Sequence, residues 1–224
     1  MLSLQTRPMN QPAAARILIA DDHDVVRSGL RSILEAHDGW QIVGEAANGK
    51  DAVSKAIDTK PNIVVMDYSL PLLNGVEALR QIKSFLPDTE ILLFTMHDSD
   101  EIIGLALNAG ARSYLLKSDA KRFLVSAVES LVNHKPFFVG RLSEKLLDSF
   151  LSQGKPSRSQ KLSPRERIVV QLVAEGHSNK QISAILNVSV KTVETQRASA
   201  MKKLNAKSTS ALVRYAIRSK LIEP

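Results

Sequence analysis

The sequence predicts two joined folds: a doubly wound α/β domain with a parallel five-stranded sheet, then a small all-α domain of four helices. Three observations carry this. Short apolar runs alternate five times with amphipathic stretches, the pattern of a parallel sheet wrapped on both faces. The C-terminal third has four helix starts and no strand signal between them. The net charge of +7 is also unevenly spread. Lys155 to Pro224 holds 14 basic and 4 acidic residues, leaving 16 and 19 of the totals of 30 and 23 for the rest. An acidic first part and a basic second part predict different partners, with nucleic acid the first candidate for the second.

The elements follow in order. Arg16 to Ala20 reads as a buried strand ending in Asp21-Asp22-His23-Asp24. Val25, Val26, Leu30, Ile33 and Leu34 then recur at helical spacing. Gln41 to Ala46 is a second strand, Asn48-Gly49 its turn, and Lys50 to Asp58 a helix stopped before Pro61. Ile63 to Met66 is a short, fully buried strand with Asp67 at its end, and Pro71 and Asn74-Gly75 turn the chain. A helix from Gly75 to Phe85 breaks at Pro87-Asp88. Glu90 to Phe94 is the fourth strand, ending at Thr95, and Ser99 to Asn108 is a helix closed by Gly110. Arg112 to Leu116 is the fifth strand, ending at Lys117, and Asp119 to Asn133 the fifth helix.

Composition narrows the function classes. The 224 residues suit one or two domains, and 44% hydrophobic content supports a sizeable core. With no cysteine, disulfides and thiolate metal sites are excluded. No apolar run approaches about 18 residues, so no membrane span is expected. Residues 1–15 read as a disordered leader without a secretory signal, Met9 offers an alternative start to Met1, and a cytoplasmic location is expected.

In a parallel sheet all strand carboxyl ends lie on one edge, where open α/β sheets place their chemistry. Asp21, Asp22, Asp67, Thr95 and Lys117 therefore meet in one crevice. Asp67 alone reads equally well as a loop cap; the convergence favours a functional site. Clustered carboxylates repel and want a divalent cation, and an all-oxygen set suits Mg²⁺. Asp67 can attack phosphorus to give an aspartyl phosphate, and Lys117 and Thr95 can contact phosphoryl oxygens.

Ala20-Asp21-Asp22-His23, Met66 to Pro71, Leu93 to His97 and Tyr114 to Lys117 together resemble the signature of bacterial response-regulator receiver domains, over 16–133. The resemblance implies a flavodoxin-like sheet in the order 2-1-3-4-5 and Asp67 as phosphoacceptor. It implies Mg²⁺ on Asp22, Asp67 and the Ser69 carbonyl, with Asp21 holding a metal-bound water. Thr95 and Tyr114 would be paired switch residues, and the phosphoryl source a sensor histidine kinase or phosphotransfer protein. One departure is Ser118 after Lys117, where the family often has Pro; it puts the geometry of that loop in doubt. Ser69 and His97 occupy positions that border the attacking water in similar domains.

Residues 134–157 read as a linker. Phe137 to Val139 suggests an extension packing on the first domain, Ser143 to Phe150 a helix, and Ser152 to Gln160 a flexible polar stretch. Over 158–224, Ser163-Pro164-Arg165-Glu166 and Ser178-Asn179-Lys180-Gln181 are capping boxes. Ser189 and Ser208 cap two further helices. The tight interval Leu186 to Ser189 makes the second and third a helix-turn-helix. In the third, Val190, Val193, Ala200, Met201 and Leu204 form a buried stripe. Lys191, Thr195, Ala198 and Lys202 line the opposite face, small and basic as a major-groove helix needs, flanked by Thr192, Glu194 and Ser199. Glu194 suits either a cytosine amino group or a lysine; Arg197 falls near the buried stripe and is expected to snorkel, pair with an acid or touch a phosphate.

Leu162 to Glu166, Gly176 to Ile182 and Val188 to Arg197 resemble the LuxR-type DNA-binding domain, with Gln196 where the family usually has His. The whole chain is therefore similar to the NarL/FixJ class of response regulators. That implies a non-enzymatic, phosphorylation-controlled transcription factor on double-stranded promoter DNA, a homodimer when phosphorylated or DNA-bound. Phosphorylation is expected to favour dimers or to free a recognition helix masked by the receiver. Two other readings compete: a phosphatase acting on external substrates, and a DNA-binding protein whose first domain only mediates contacts.

Overall fold

The computed structural model describes residues 14–139 and 162–222. The expected helix at Ser143–Phe150 and flexible stretch at Ser152–Gln160 lie outside the described residues.

The first domain alternates as the apolar pattern requires. β1 (Ala15–Ala20), α1 (Asp24–Glu35), β2 (Trp40–Ala46), α2 (Gly49–Thr59) and β3 (Ile63–Met66) are followed by α3 (Gly75–Phe85), β4 (Glu90–Thr95), α4 (Asp100–Ala109), β5 (Ser113–Leu116) and α5 (Ala120–Val132). All neighbouring strands are parallel, in the order β2-β1-β3-β4-β5. The five-stranded expectation is corrected by one strand. β6 (Phe137–Phe138) adds to the β5 edge, pairing Tyr114 with Phe138. Two residues are too few for a periodic signal, so the sequence showed this stretch only as a packed extension.

Successive strand residues point to opposite faces, which splits the core. Ile17, Ile19, Val65, Leu92 and Leu115 pack against α1 and α5. Leu18, Ala20, Val64, Met66 and Leu93 pack on the other face, under α2, α3 and α4. Two glycines allow close approach on that face. A Cβ on Gly49 would fall 1.8 Å from the Leu73 carbonyl oxygen, and one on Gly75 2.1 Å from that of Asp67.

The second domain is α6 (Pro164–Ala174), α7 (Asn179–Leu186), α8 (Val190–Lys203) and α9 (Thr209–Arg218). Both capping boxes form: Ser163 and Ser178 accept from the N–H groups of Glu166 and Gln181, whose side chains accept in return. Ser189 and Ser208 cap α8 and α9. Asn187, at φ 52°, makes the turn between α7 and α8, a left-handed conformation that asparagine tolerates.

α6 is buried from Glu166 to Val173, with Arg167 and Gln171 among its apolar residues. Ile168, Val169, Val170, Leu172 and Val173 are buried, and they join the apolar cluster under α2, α3 and α4. The two domains thus share one continuous apolar core.

Candidate functional site

The strand ends deliver the crevice. Asp21 follows β1 and is fully buried; Asp67 follows β3 and is 3% exposed; Thr95 ends β4 and is fully buried. Lys117 follows β5 and opens a single 3-10 turn, Lys117–Asp119, so the chain turns directly into α5 without a proline. The Lys117 ammonium lies 2.8 Å from Asp67 Oδ2 and 2.7 Å from Asp21 Oδ2. Burial alone would lower the Lys117 pKa, yet the two carboxylates outweigh it and raise it. Burial pushes Asp67 up to about 6, against the pull of Lys117.

Asp22 is exposed at the rim, its Oδ1 2.8 Å from His23 Nδ1. Ligand atoms of Asp21, Asp22 and His23 lie within 4.8 Å of one another. Three carboxylates facing one ammonium, with Asp67 raised, leave negative charge that a hard divalent cation suits. The sequence reading did not include His23 in that set.

The Thr95 hydroxyl accepts from the His97 N–H at 3.2 Å. The Ser69 hydroxyl and His97 Nε2 are 3.0 Å apart, so these two residues bridge the crevice mouth. Tyr114 is buried, and its hydroxyl donates to the His97 carbonyl.

The second candidate surface is α8. Lys191, Thr195, Ala198 and Lys202 are all exposed along one face, with Glu194 beside them. The centre of this face is open, while its flank at Thr192 and Gln196 shares a cavity with Gln81 of the receiver. Thr192 is half-buried at its flank. Ser199 differs from expectation: its hydroxyl donates to Glu166 Oε1 at 2.7 Å, tying α8 to α6. Burial would raise Glu166, but Lys203, Ser199 and Ser163 outweigh it and hold it at about 2. Arg197 bridges Asn179 and Thr209, and among the described residues no acid pairs with it. Val190, expected in the buried stripe, is 38% exposed, because the stripe narrows at the helix start.

Three side chains between the domains were not found from sequence: Arg167, Gln171 and Glu175. Arg167 Nε lies 3.5 Å from Glu77 Oε1 of α3. Burial raises the Glu77 carboxyl against Arg80 and Arg167, and raises Glu175 against Gln171 and the Leu72 N–H. The available signal was their i, i+4, i+8 spacing, a polar stripe along α6 and its C-cap.

Residues 17–129 match the response regulator receiver domain family, and residues 160–216 match the bacterial regulatory proteins, luxR family. This chain is a LuxR-family two-component response regulator. The regulator is 37% identical over 215 residues to the oxygen regulatory protein NreC of Staphylococcus carnosus, covering 93% of this chain and 99% of that one. NreC of Staphylococcus epidermidis is 36% identical over 216 residues with the same coverage. Among solved structures, RcsB of Salmonella typhimurium superposes with TM-score 0.66 at 28% identity, over 93% of this chain and 98% of that one. RcsB in complex with DNA gives 0.64 at 30% identity, over 90% and 98%. The regulator therefore has a receiver and a LuxR-type DNA-binding domain. Among its described residues no helix is long and apolar enough to cross a membrane.

Proposed function

We propose that this response regulator accepts a phosphoryl group on Asp67 and binds promoter DNA through α8, acting in the cytoplasm. The observation that carries the first half is Lys117, 2.8 Å from Asp67 at the shared edge of the parallel sheet. The Asp67 carboxylate forms a bond to phosphorus as the bond from phosphorus to the donor atom of a histidine kinase or phosphotransfer protein breaks. Lys117 orients the carboxylate and offers its charge to the incoming oxygens. Asp21, Asp22, Asp67 and the Ser69 carbonyl would hold Mg²⁺, which supplies charge neutralisation when bound. Turnover of an outside substrate is not part of this reading; the chemistry stays on Asp67.

The open, small and basic face of α8 supports the second half. Lys191 and Lys202 suit phosphates, and Thr195 and Ala198 suit base edges, with Thr192 and Glu194 at the flanks. Ser199 is left to a structural role. Two copies on half-sites about 10 base pairs apart would gain affinity through effective concentration. Treating the chain and its Asp67→Asn variant with a phosphodonor and Mg²⁺ tests the acceptor. Acid-labile phosphate on the parent alone is expected, and equal labelling of both would move the site elsewhere.

A further inference from the structure

The helical domain grips the loop that carries the phosphoacceptor site. Gln171 is fully buried. Its Oε1 accepts from the Asn74 N–H at 2.9 Å and from Asn74 Nδ2 at 3.0 Å. Its Nε2 donates to the Leu70 carbonyl at 2.9 Å and to Glu175 Oε1 at 2.8 Å. Both donors and both lone pairs of the carboxamide are used, three of the four bonds going to the receiver loop. Glu175, one turn on, accepts from the Leu72 N–H at 3.1 Å. This loop begins three residues after Asp67. A cavity of about 220 Å³ lies beside it, lined by Asp22, Ser69, Leu70 and Pro71 and by Glu175, Leu221 and Ile222 of the helical domain. The helical domain thus builds one wall next to the acidic crevice, and that wall carries one more carboxylate.

We infer that the helical domain gates phosphoryl acceptance: the closed chain pins the Leu70–Asn74 loop and sets Glu175 beside the path of an anionic donor, so Asp67 reacts in the opened chain. This rests on the proposed acceptor role of Asp67. DNA is the effector that opens the gate. Lys50 of α2 donates to the Ile185 carbonyl at the end of α7. Gln81 of α3 shares a cavity of about 210 Å³ with Leu186, Val188, Thr192 and Gln196. The receiver therefore stands against the α7–α8 turn, the flank where the first helix of a helix-turn-helix crosses a DNA strand. The centre of the α8 face is free, but a duplex needs this flank as well. DNA then binds the opened chain better, raises its population, and with it the rate of acceptance.

The test follows acid-labile phosphate on the full chain with acetyl phosphate and Mg²⁺. The Asp67 oxygen bonds to phosphorus as acetate leaves with the electron pair of the broken bond. Rates are compared with and without excess mixed-sequence duplex of about 30 base pairs at low salt, where non-specific binding is strong. DNA should speed the parent. Gln171→Ala should be faster than the parent without DNA, by between about fivefold and about a hundredfold, the range of ordinary coupling between sites. It should gain nothing more from DNA. Glu175→Gln, which keeps an acceptor for Leu72 but loses the charge, should fall between. A parent rate unchanged by bound DNA overturns the gate. So does a DNA effect with both variants slow in its absence, which would mean that two copies assemble on the duplex. No label on Asp67 in any arm overturns the acceptor reading beneath it.

Discussion

Asp67 should destabilise the fold that holds it. Its folded pKa of about 6 stands above the ordinary 3.8, because burial outweighs Lys117. Below about pH 4 the carboxyl is protonated in both states and contributes nothing. Between the two values the unfolded chain ionises while the folded one keeps its proton, so stability falls as pH rises. Above about pH 6 the penalty is complete and constant. A difference of about two pKa units is worth about 3 kcal/mol. Asp67→Asn keeps the shape without the charge, so it should be about 3 kcal/mol more stable than the parent at pH 8 and equal to it at pH 4, with chelator present. The single tryptophan, Trp40, is buried at the start of β2 and reports receiver unfolding. In urea the midpoint should rise by roughly 1.5 M at pH 8, for an m-value of about 2 kcal/mol/M. Mg²⁺ should shrink the gap by stabilising the parent. A variant less stable than the parent at pH 8, or a gap that ignores pH, would refute the argument.

Three further outcomes are expected. Lys202→Ala should weaken all DNA sequences alike and flatten the salt dependence by about one unit, whereas Ala198→Trp should change base preference; fluorescence anisotropy on variant sites separates the two. Ser199→Ala should leave base preference intact in the same assay and cost about 1 kcal/mol in chemical denaturation, through its lost bond to Glu166. Gly75→Ala should cost about 3 kcal/mol, since its Cβ would meet the Asp67 carbonyl oxygen at 2.1 Å, and a midpoint equal to the parent's would show that the loop yields.

The strands and helices were legible because their periodicities differ and their ends carry turn residues. The crevice was legible because parallel strands oblige their carboxyl ends to share an edge. Side-chain direction was less so. Thr95 stands at the right strand end but serves the His97 N–H, and Ser199 lies near the right face of α8 but turns to Glu166. Thr95 is settled by the turn two residues on, and Ser199 by a neighbour 33 residues away in the chain, which periodicity does not see. The pairing of Gln171 with Asn74 spans 97 residues and two domains, and neither residue announces its partner. His23 was visible beside Asp21 and Asp22, but its imidazole came within reach only through the turn after β1.

Shared burial gives the opened chain a character of its own. Tyr68 and Leu70 of the receiver and Leu221 of the helical domain are each about 1% exposed, and the Tyr68 hydroxyl donates to the Ser219 carbonyl at 3.4 Å. Separating the domains wets these side chains, at about 25 cal/mol for each Å² of apolar surface. Under the proposed gate, the form that binds DNA would be the more adhesive one. Copies in excess of their binding sites would stick to one another or to bystanders once switched on.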